Sequence, residues 1–152
     1  MINYILGKRS TLSKNLHKNF KKSKVVSIDE FIRIKLKTKI NIIINSFYPS
    51  SKISFIDSYE NFFNQSILKI SKLLDNLDKK KINKIIYTSS SSVYGFKDNI
   101  NQSDTRNRKI YSISKLAAEN LIINFCNKSK IKYSIARVFN IYGENDKFSV
   151  IS

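Results

Sequence analysis

The chain's 152 residues suffice for one domain with a real core but not for two generous ones, and no apolar run approaches the roughly 18–20 residues that a bilayer span needs. A single cysteine, Cys126, excludes an intrachain disulfide, and a single histidine, His17, excludes a histidine-rich metal centre, so no metal is expected. The formal charge of +17 raises nucleic-acid binding, yet the lysines are scattered over every segment, and abundant lysine, asparagine and isoleucine beside 3 glycines, 1 proline and no tryptophan reads as AT-rich codon usage.

Residues 2–6 form a short apolar strand that ends at Gly7. No basic stretch precedes them, so they do not read as a signal peptide, and a cytoplasmic chain without membrane association is the expectation. Residues 8–10 suit a tight turn that opens a helix over 11–20. A strand, a glycine and a helix N-terminus make a phosphate cradle, because backbone N–H groups and the helix dipole face the anion. The second and third glycine places of such a loop hold Ser10 and Ser13. Their hydroxyls can donate to phosphate, while their side chains limit close backbone approach. Residues 25–28 read as the second strand. Asp29 follows about twenty residues after Gly7, the offset at which an acidic residue holds an adenosine ribose. It equally suits the cap of a helix over 30–37.

Residues 40–45 are an apolar, β-branched run typical of a buried strand, followed by a loop over 46–52 with the sole proline, Pro49. A long amphipathic helix is expected over 58–77, with Phe62, Phe63, Ile67, Ile70, Leu73, Leu74 and Leu77 at helical spacing. Asn64 falls among them, either as a functional amide or as a polar face residue. Residues 84–88 form the next strand, and the serines at 89–92 lie just past its carboxyl end, where an open parallel sheet binds ligands. The polar stretch 96–109 reads as irregular, and a helix over 110–128 follows, with Cys126 as a small core residue. Near its start Tyr111 and Lys115 share one face, a turn apart. A free phenol titrates near ~10 and is a poor base at neutral pH unless a positive charge favours the phenolate. Lys115 supplies that charge, and the Ser90 hydroxyl could hold the substrate oxygen that exchanges the proton. Ser90, Tyr111 and Lys115 are therefore the candidate catalytic residues, transferring a proton beside a hydride-accepting cofactor. Residues 132–137 form the last strand, with its carboxyl-end loop over 138–143. Strands alternating with helices predict an α/β fold with a parallel sheet of about five strands in the order 2-1-3-4-5, as one domain over 1–152.

Taken together, these strand-end loops resemble the extended short-chain dehydrogenase/reductases, the NAD-dependent epimerase/dehydratase family that acts on nucleotide sugars. Tyr87, Thr88, the four serines, Val93, Tyr94 and Gly95 are similar to the family's strand-end serine motif; Tyr111 with Lys115 is similar to its catalytic pair; and Arg137 through Gly143 is similar to its next strand-end motif. The resemblance implies a Rossmann-like doubly wound sheet, NAD or NADP as cofactor, a nucleotide-diphosphate sugar as substrate, and a homodimer as one option. It also implies roles. Ser90 orients the reacting sugar oxygen, with Ser91 and Ser92 beside it in the substrate site. Tyr111 is the acid/base, and Lys115 holds the ribose of the nicotinamide half and lowers the tyrosine pKa. Gly7, Ser10, Thr11 and Leu12 fall in the dinucleotide loop. Asn64 matches an asparagine that supports the cofactor side of the sheet. Phe139 meets the nicotinamide, and Asn140 meets the substrate's diphosphate.

Departures from the family qualify these roles. The span from Gly7 to residue 40 is short by about one strand–helix unit, so either the second or the third strand is missing. That leaves open adenosine recognition by Asp29 and the choice between NAD and NADP, where Lys8 and Arg9 lean towards the extra phosphate. The sequence ends at Ser152, so the family's C-terminal substrate domain is expected to be missing, with Phe148, Val150 and Ile151 left uncovered. Sugar 4,6-dehydratases of the family carry an acidic pair directly after the catalytic hydroxyl residue. Ser91 and Ser92 stand there, which favours an epimerase or reductase. The alternatives are a non-catalytic fragment or remnant of such an enzyme and a basic nucleic-acid-binding module.

Overall fold

The structure is a computed structural model and describes residues 1–49, 52–95 and 102–139, with the backbone alone over 102–107. Five strands form one parallel sheet: β1 (Ile2–Leu6), β2 (Ser23–Val26), β3 (Ile40–Ile44), β4 (Ile82–Ser90) and β5 (Lys132–Val138), in the order β2-β1-β3-β4-β5. The fold is therefore α/β and Rossmann-like, with the strand order expected. β2 is the edge strand and pairs directly with β1, Tyr4 opposite Lys24 and Leu6 opposite Val26. The order turns between β1 and β3, and the carboxyl ends of β1, β3 and β4 converge there.

Tyr4, Leu6, Ile42, Ile44, Ile85 and Tyr87 bury one face of the sheet under helices α2 (Ile28–Ile32), α4 (Lys69–Asp75) and α5 (Gln102–Ser129), which contribute Phe31, Leu73, Ile122 and Cys126 among others. Each fully buried aliphatic side chain contributes roughly 1.5–3 kcal/mol relative to exposure. Towards the amino ends of the strands, alternate positions carry amides instead. Asn41 Nδ2 donates to Asn3 Oδ1 at 2.9 Å, and Asn83 Nδ2 donates to Asn41 Oδ1 at 2.8 Å, so half-buried polar groups satisfy one another across three strands. Among the described residues no helix is long and apolar enough to cross a membrane.

Several element boundaries differ from the sequence expectations. β4 runs from Ile82 to Ser90 rather than over 84–88, so Ser89 and Ser90 are its last residues and only Ser91 and Ser92 lie past its end, and β2 begins at Ser23. β2 ends at Val26 because Ser27 and Glu30 form a capping box, which draws Ile28 into the helix and makes Ser27, not Asp29, its cap. α2 stops at Ile32 rather than near residue 37. Beyond it Ile34 and Leu36 alternate with Lys35 and Lys37, and this period of two favours extended chain that packs only the apolar residues on the core. The helix expected over 58–77 consists of α3 (Tyr59–Phe63), a π-helical turn (Asn64–Leu68) and α4. Ser66 lies four residues from both Phe62 and Ile70 and is fully buried with them, whereas Phe63 and Asn64 are exposed. Finally, α5 begins at Gln102, so residues 102–109 are helical rather than irregular. They contain neither glycine nor proline to stop a helix.

Candidate functional site

At the β1 end, the chain leaves the sheet through Gly7 and turns into α1 (Thr11–Asn19), whose N-cap is Ser10. Gly7 has φ +142°, and a Cβ there would lie 2.9 Å from the Asn45 carbonyl oxygen and 3.0 Å from Ser13 Oγ. Only glycine allows this approach of loop to strand end. Asn45, the residue after β3, ties the loop together. Its Nδ2 donates to Ser10 Oγ and Ser13 Oγ, both at 2.8 Å, and its Oδ1 accepts from Thr88 Oγ1 at 2.7 Å. Ser13, at the third glycine place, is fully buried by this contact. The first turn of α1 carries no acidic residue; Thr11 is exposed and Leu12 half-buried. The N–H end of the helix therefore faces outward beside a hydroxyl, without a competing carboxylate. These groups fit the diphosphate of a dinucleotide.

Lys115 and Tyr111 lie together by the end of β4, the strand that carries Ser90. Lys115 is 5% exposed, and its Nζ donates to the Thr88 carbonyl at 2.9 Å, two residues before Ser90 on β4. Three rings surround the amine, with Phe47, Tyr87 and Tyr111 centroids at 4.2, 4.9 and 5.8 Å. Burial brings the Lys115 pKa down to about 7, against an opposing pull from Glu119. Tyr111 is also buried, edge-on to Phe47 at 5.5 Å, and burial pushes its phenol up to about 12. The expected lowering of the tyrosine pKa by Lys115 is thus not what the chain alone displays. Desolvation wins, because the amine is turned to a carbonyl and is itself only weakly held in the charged form. Ser90 caps the short 3-10 turn Ser91–Tyr94, its Oγ accepting from the Ser92 N–H at 3.2 Å. Ser91 is half-buried, and the Ser92 hydroxyl is buried without a partner.

One turn beyond Lys115, Glu119 continues the same helical face. It is 2% exposed and accepts from Arg137 of β5 through two bonds, Nε to Oε1 at 3.1 Å and Nη2 to Oε2 at 2.8 Å. Burial, the largest single influence, raises its pKa, but Arg137, Ser89 and Lys115 together outweigh burial and hold the carboxyl below its ordinary value. The Ser89 hydroxyl lies close enough to add to this lowering, although it makes no hydrogen bond of good geometry. On the far side of Arg137 lies the exposed Tyr94 ring, 4.8 Å from the guanidinium carbon and stacked on Phe139.

The remaining sequence candidates fall as follows. Asp29 turns away from the loop to Lys69 at 3.0 Å and Lys72 at 3.4 Å, and the Lys69 hydrogen bond in particular lowers its pKa. The helix cap is Ser27 rather than Asp29, whose carboxylate stays about half exposed. Glu30 is the acidic residue that meets the loop, bound to Lys8 at 2.8 Å. The spacing of Ser27 and Glu30 was its signal in the sequence. Asn64 is exposed on the π-helical turn. Phe139 is 73% exposed at the end of β5. Asn140 lies outside the described residues, as do Phe148, Val150 and Ile151. Sequence reasoning missed Phe47, Asn45 and the Glu119–Arg137 pair; of these only Glu119, at helical spacing from Tyr111 and Lys115, left a local trace.

Residues 4–151 match the family described as NAD dependent epimerase/dehydratase. A dTDP-D-glucose 4,6-dehydratase of Dictyostelium discoideum is 32% identical over 145 residues, which cover 86% of this chain and 33% of that protein. Among solved structures, RMD from Pseudomonas aeruginosa complexed with NADPH aligns at a TM-score of 0.74 and 20% identity, over 97% of this chain and 57% of that one. WbmF from Bordetella bronchiseptica in complex with NAD+ and UDP aligns at 0.69 and 17%, over 93% and 50%. The chain thus spans a third of the curated relative's length and between 50% and 57% of these two structures. With the sheet order, the loop at Gly7 and the Tyr111–Lys115 face in agreement with that match, the chain belongs to the NAD-dependent epimerase/dehydratase family.

Proposed function

We propose that this chain is the cofactor-binding part of an NAD(P)-dependent nucleotide-sugar epimerase or reductase, in which Tyr111 exchanges a proton with a sugar hydroxyl. The observation that carries the reading is the Lys115 amine, buried beside Tyr111 and hydrogen-bonded at the β4 end that bears Ser90. Gly7, Ser10 and the N-terminus of α1 hold the diphosphate of the cofactor. When bound, the nicotinamide accepts a hydride from a sugar carbon or returns one. Tyr111 holds its proton in the chain as folded, which suits the direction in which a carbonyl oxygen takes one up. The reverse direction requires Lys115 to leave the Thr88 carbonyl and stay protonated near the phenol, so that phenolate forms at neutral pH. Ser90 orients the sugar oxygen through its hydroxyl, and Phe47 and Tyr87 keep water from the amine.

Ser91 and Ser92, where a dehydratase has its acidic pair, support epimerisation or reduction over loss of water. The second reading, a 4,6-dehydratase, is favoured by the name of the Dictyostelium relative. Incubation with nucleoside-diphosphate hexoses and NAD(P)(H), followed by mass and NMR analysis of the products, separates the two. An unchanged mass (epimer) or a gain of two hydrogens (reduction) is expected. Loss of 18 mass units, the mass of water, would indicate the dehydratase. Tyr111→Phe is expected to lower turnover by at least about a hundredfold, the scale of one acid–base contribution. Equal turnover would remove Tyr111 from the reaction.

A further inference from the structure

Asn45 satisfies every hydrogen-bonding group of its amide inside the fold, and the way it does so fixes the direction of a hydroxyl at the loop. Thr88 has one hydroxyl hydrogen and two acceptors in reach, Asn45 Oδ1 at 2.7 Å and the Ile44 carbonyl at 3.1 Å. The shorter bond goes to the amide oxygen. Both Nδ2 hydrogens of Asn45 are then left for Ser10 Oγ and Ser13 Oγ. Ser10 Oγ already accepts from the Ser13 N–H as the helix cap, so the amide takes its second acceptor position. Among the described residues Ser10 Oγ donates to no other group, and Ser10 is only half-buried, so its hydrogen is left free to point out of the loop beside the first turn of α1.

We propose that Asn45, set by Thr88, is a positioning residue that turns the Ser10 hydroxyl outward as a donor to the diphosphate of a bound dinucleotide. This rests on the cofactor reading above and adds to it. In a glycine-rich loop, phosphate is held by backbone that approaches closely. Here a serine stands in one of the glycine places, and the fixed amide converts its side chain from an obstacle into a donor. A carboxylate at position 45 would reverse this. It can only accept, so both serine hydroxyls would donate inward and Ser10 would offer the phosphate a lone pair.

The test is a double-mutant cycle on NADH binding, read by nucleotide fluorescence, with thermal unfolding followed in parallel to confirm that each variant folds. Ser10→Ala should weaken binding about tenfold or more, the range for a hydrogen bond to a charged group. Asn45→Asp should weaken it at least as much in the parent chain but by less than about twofold in the Ser10→Ala background, because its effect runs through that hydroxyl. Equal losses from Asn45→Asp in both backgrounds would mean simple charge repulsion or misfolding of the loop and would overturn the proposal. Unchanged binding in Ser10→Ala would also overturn it while leaving the cofactor reading intact. Absence of NADH binding to the parent chain would overturn both.

Discussion

Lys115 is held in a place where an ammonium is poorly solvated, and this gives the chain a pH signature of its own. Its pKa falls from 10.5 unfolded to about 7 folded, because burial among Phe47, Tyr87 and Tyr111 penalises the charge. Between those values the unfolded chain holds a proton that the folded chain releases, so stability rises with pH from about 7 to 10.5. Below pH 7 the full penalty remains. Lys115→Met keeps the apolar contacts and removes the charge. It should therefore raise the free energy of unfolding at pH 6.5 by about 1–3 kcal/mol, with the gain shrinking towards pH 10.5. Urea denaturation at four or five pH values measures this. A gain independent of pH, or a loss at pH 6.5, would mean that the amine is well solvated or strongly paired. A residue that costs stability in the free chain is one whose charge is useful only when a partner arrives.

At the scale of elements, the π-helical turn between α3 and α4 shows where local sequence reading stops. Counting only apolar residues puts Phe63 and Ile67 on the inner face, but helical spacing from Phe62 runs through Ser66 to Ile70 and Leu73, which are buried, while Phe63 and Asn64 are exposed. Among the described residues the Ser66 hydroxyl has no partner. Ser66→Ala should stabilise the chain by roughly 1 kcal/mol, since it removes a buried polar group left unpaired. Calorimetry reads this as a rise in Tm, and a fall would show that the hydroxyl is satisfied. The strands were more legible. The isoleucine-rich run at 40–45 announces a buried strand, because β-branched residues in an apolar run suit burial on both faces. The extent of α2 was not, because a capping box at its start and a period-two pattern at its end compete over the same few residues.

Across the whole molecule, the legible part of the site is the part carried by spacing within one element. Tyr111 and Lys115 declare themselves by a turn of helix, and Ser90 by its place at a strand end. What escaped the sequence depends on register between strands. Asn45 reaches Ser10 because β3 lies beside β1, and it reaches Thr88 because β4 lies on its other side. Arg137 meets Glu119 because β5 pairs with β4 beneath α5. The same topology brings the diphosphate loop at the β1 end and the Lys115 amine at the β4 end to either side of β3, linked through Thr88, whose hydroxyl binds Asn45 and whose carbonyl binds Lys115. One cofactor spanning the two ends would join them, drawing Lys115 from Thr88 to its ribose. NADH titration of the parent chain and of Lys115→Met, followed by nucleotide fluorescence at pH 7, tests this most directly. Saturable binding with Kd below about 1 mM, weakened roughly tenfold in Lys115→Met, is expected, the cost of one hydrogen bond from a charged group. No saturation of the parent chain at millimolar NADH, or equal affinity in the two chains, would contradict it.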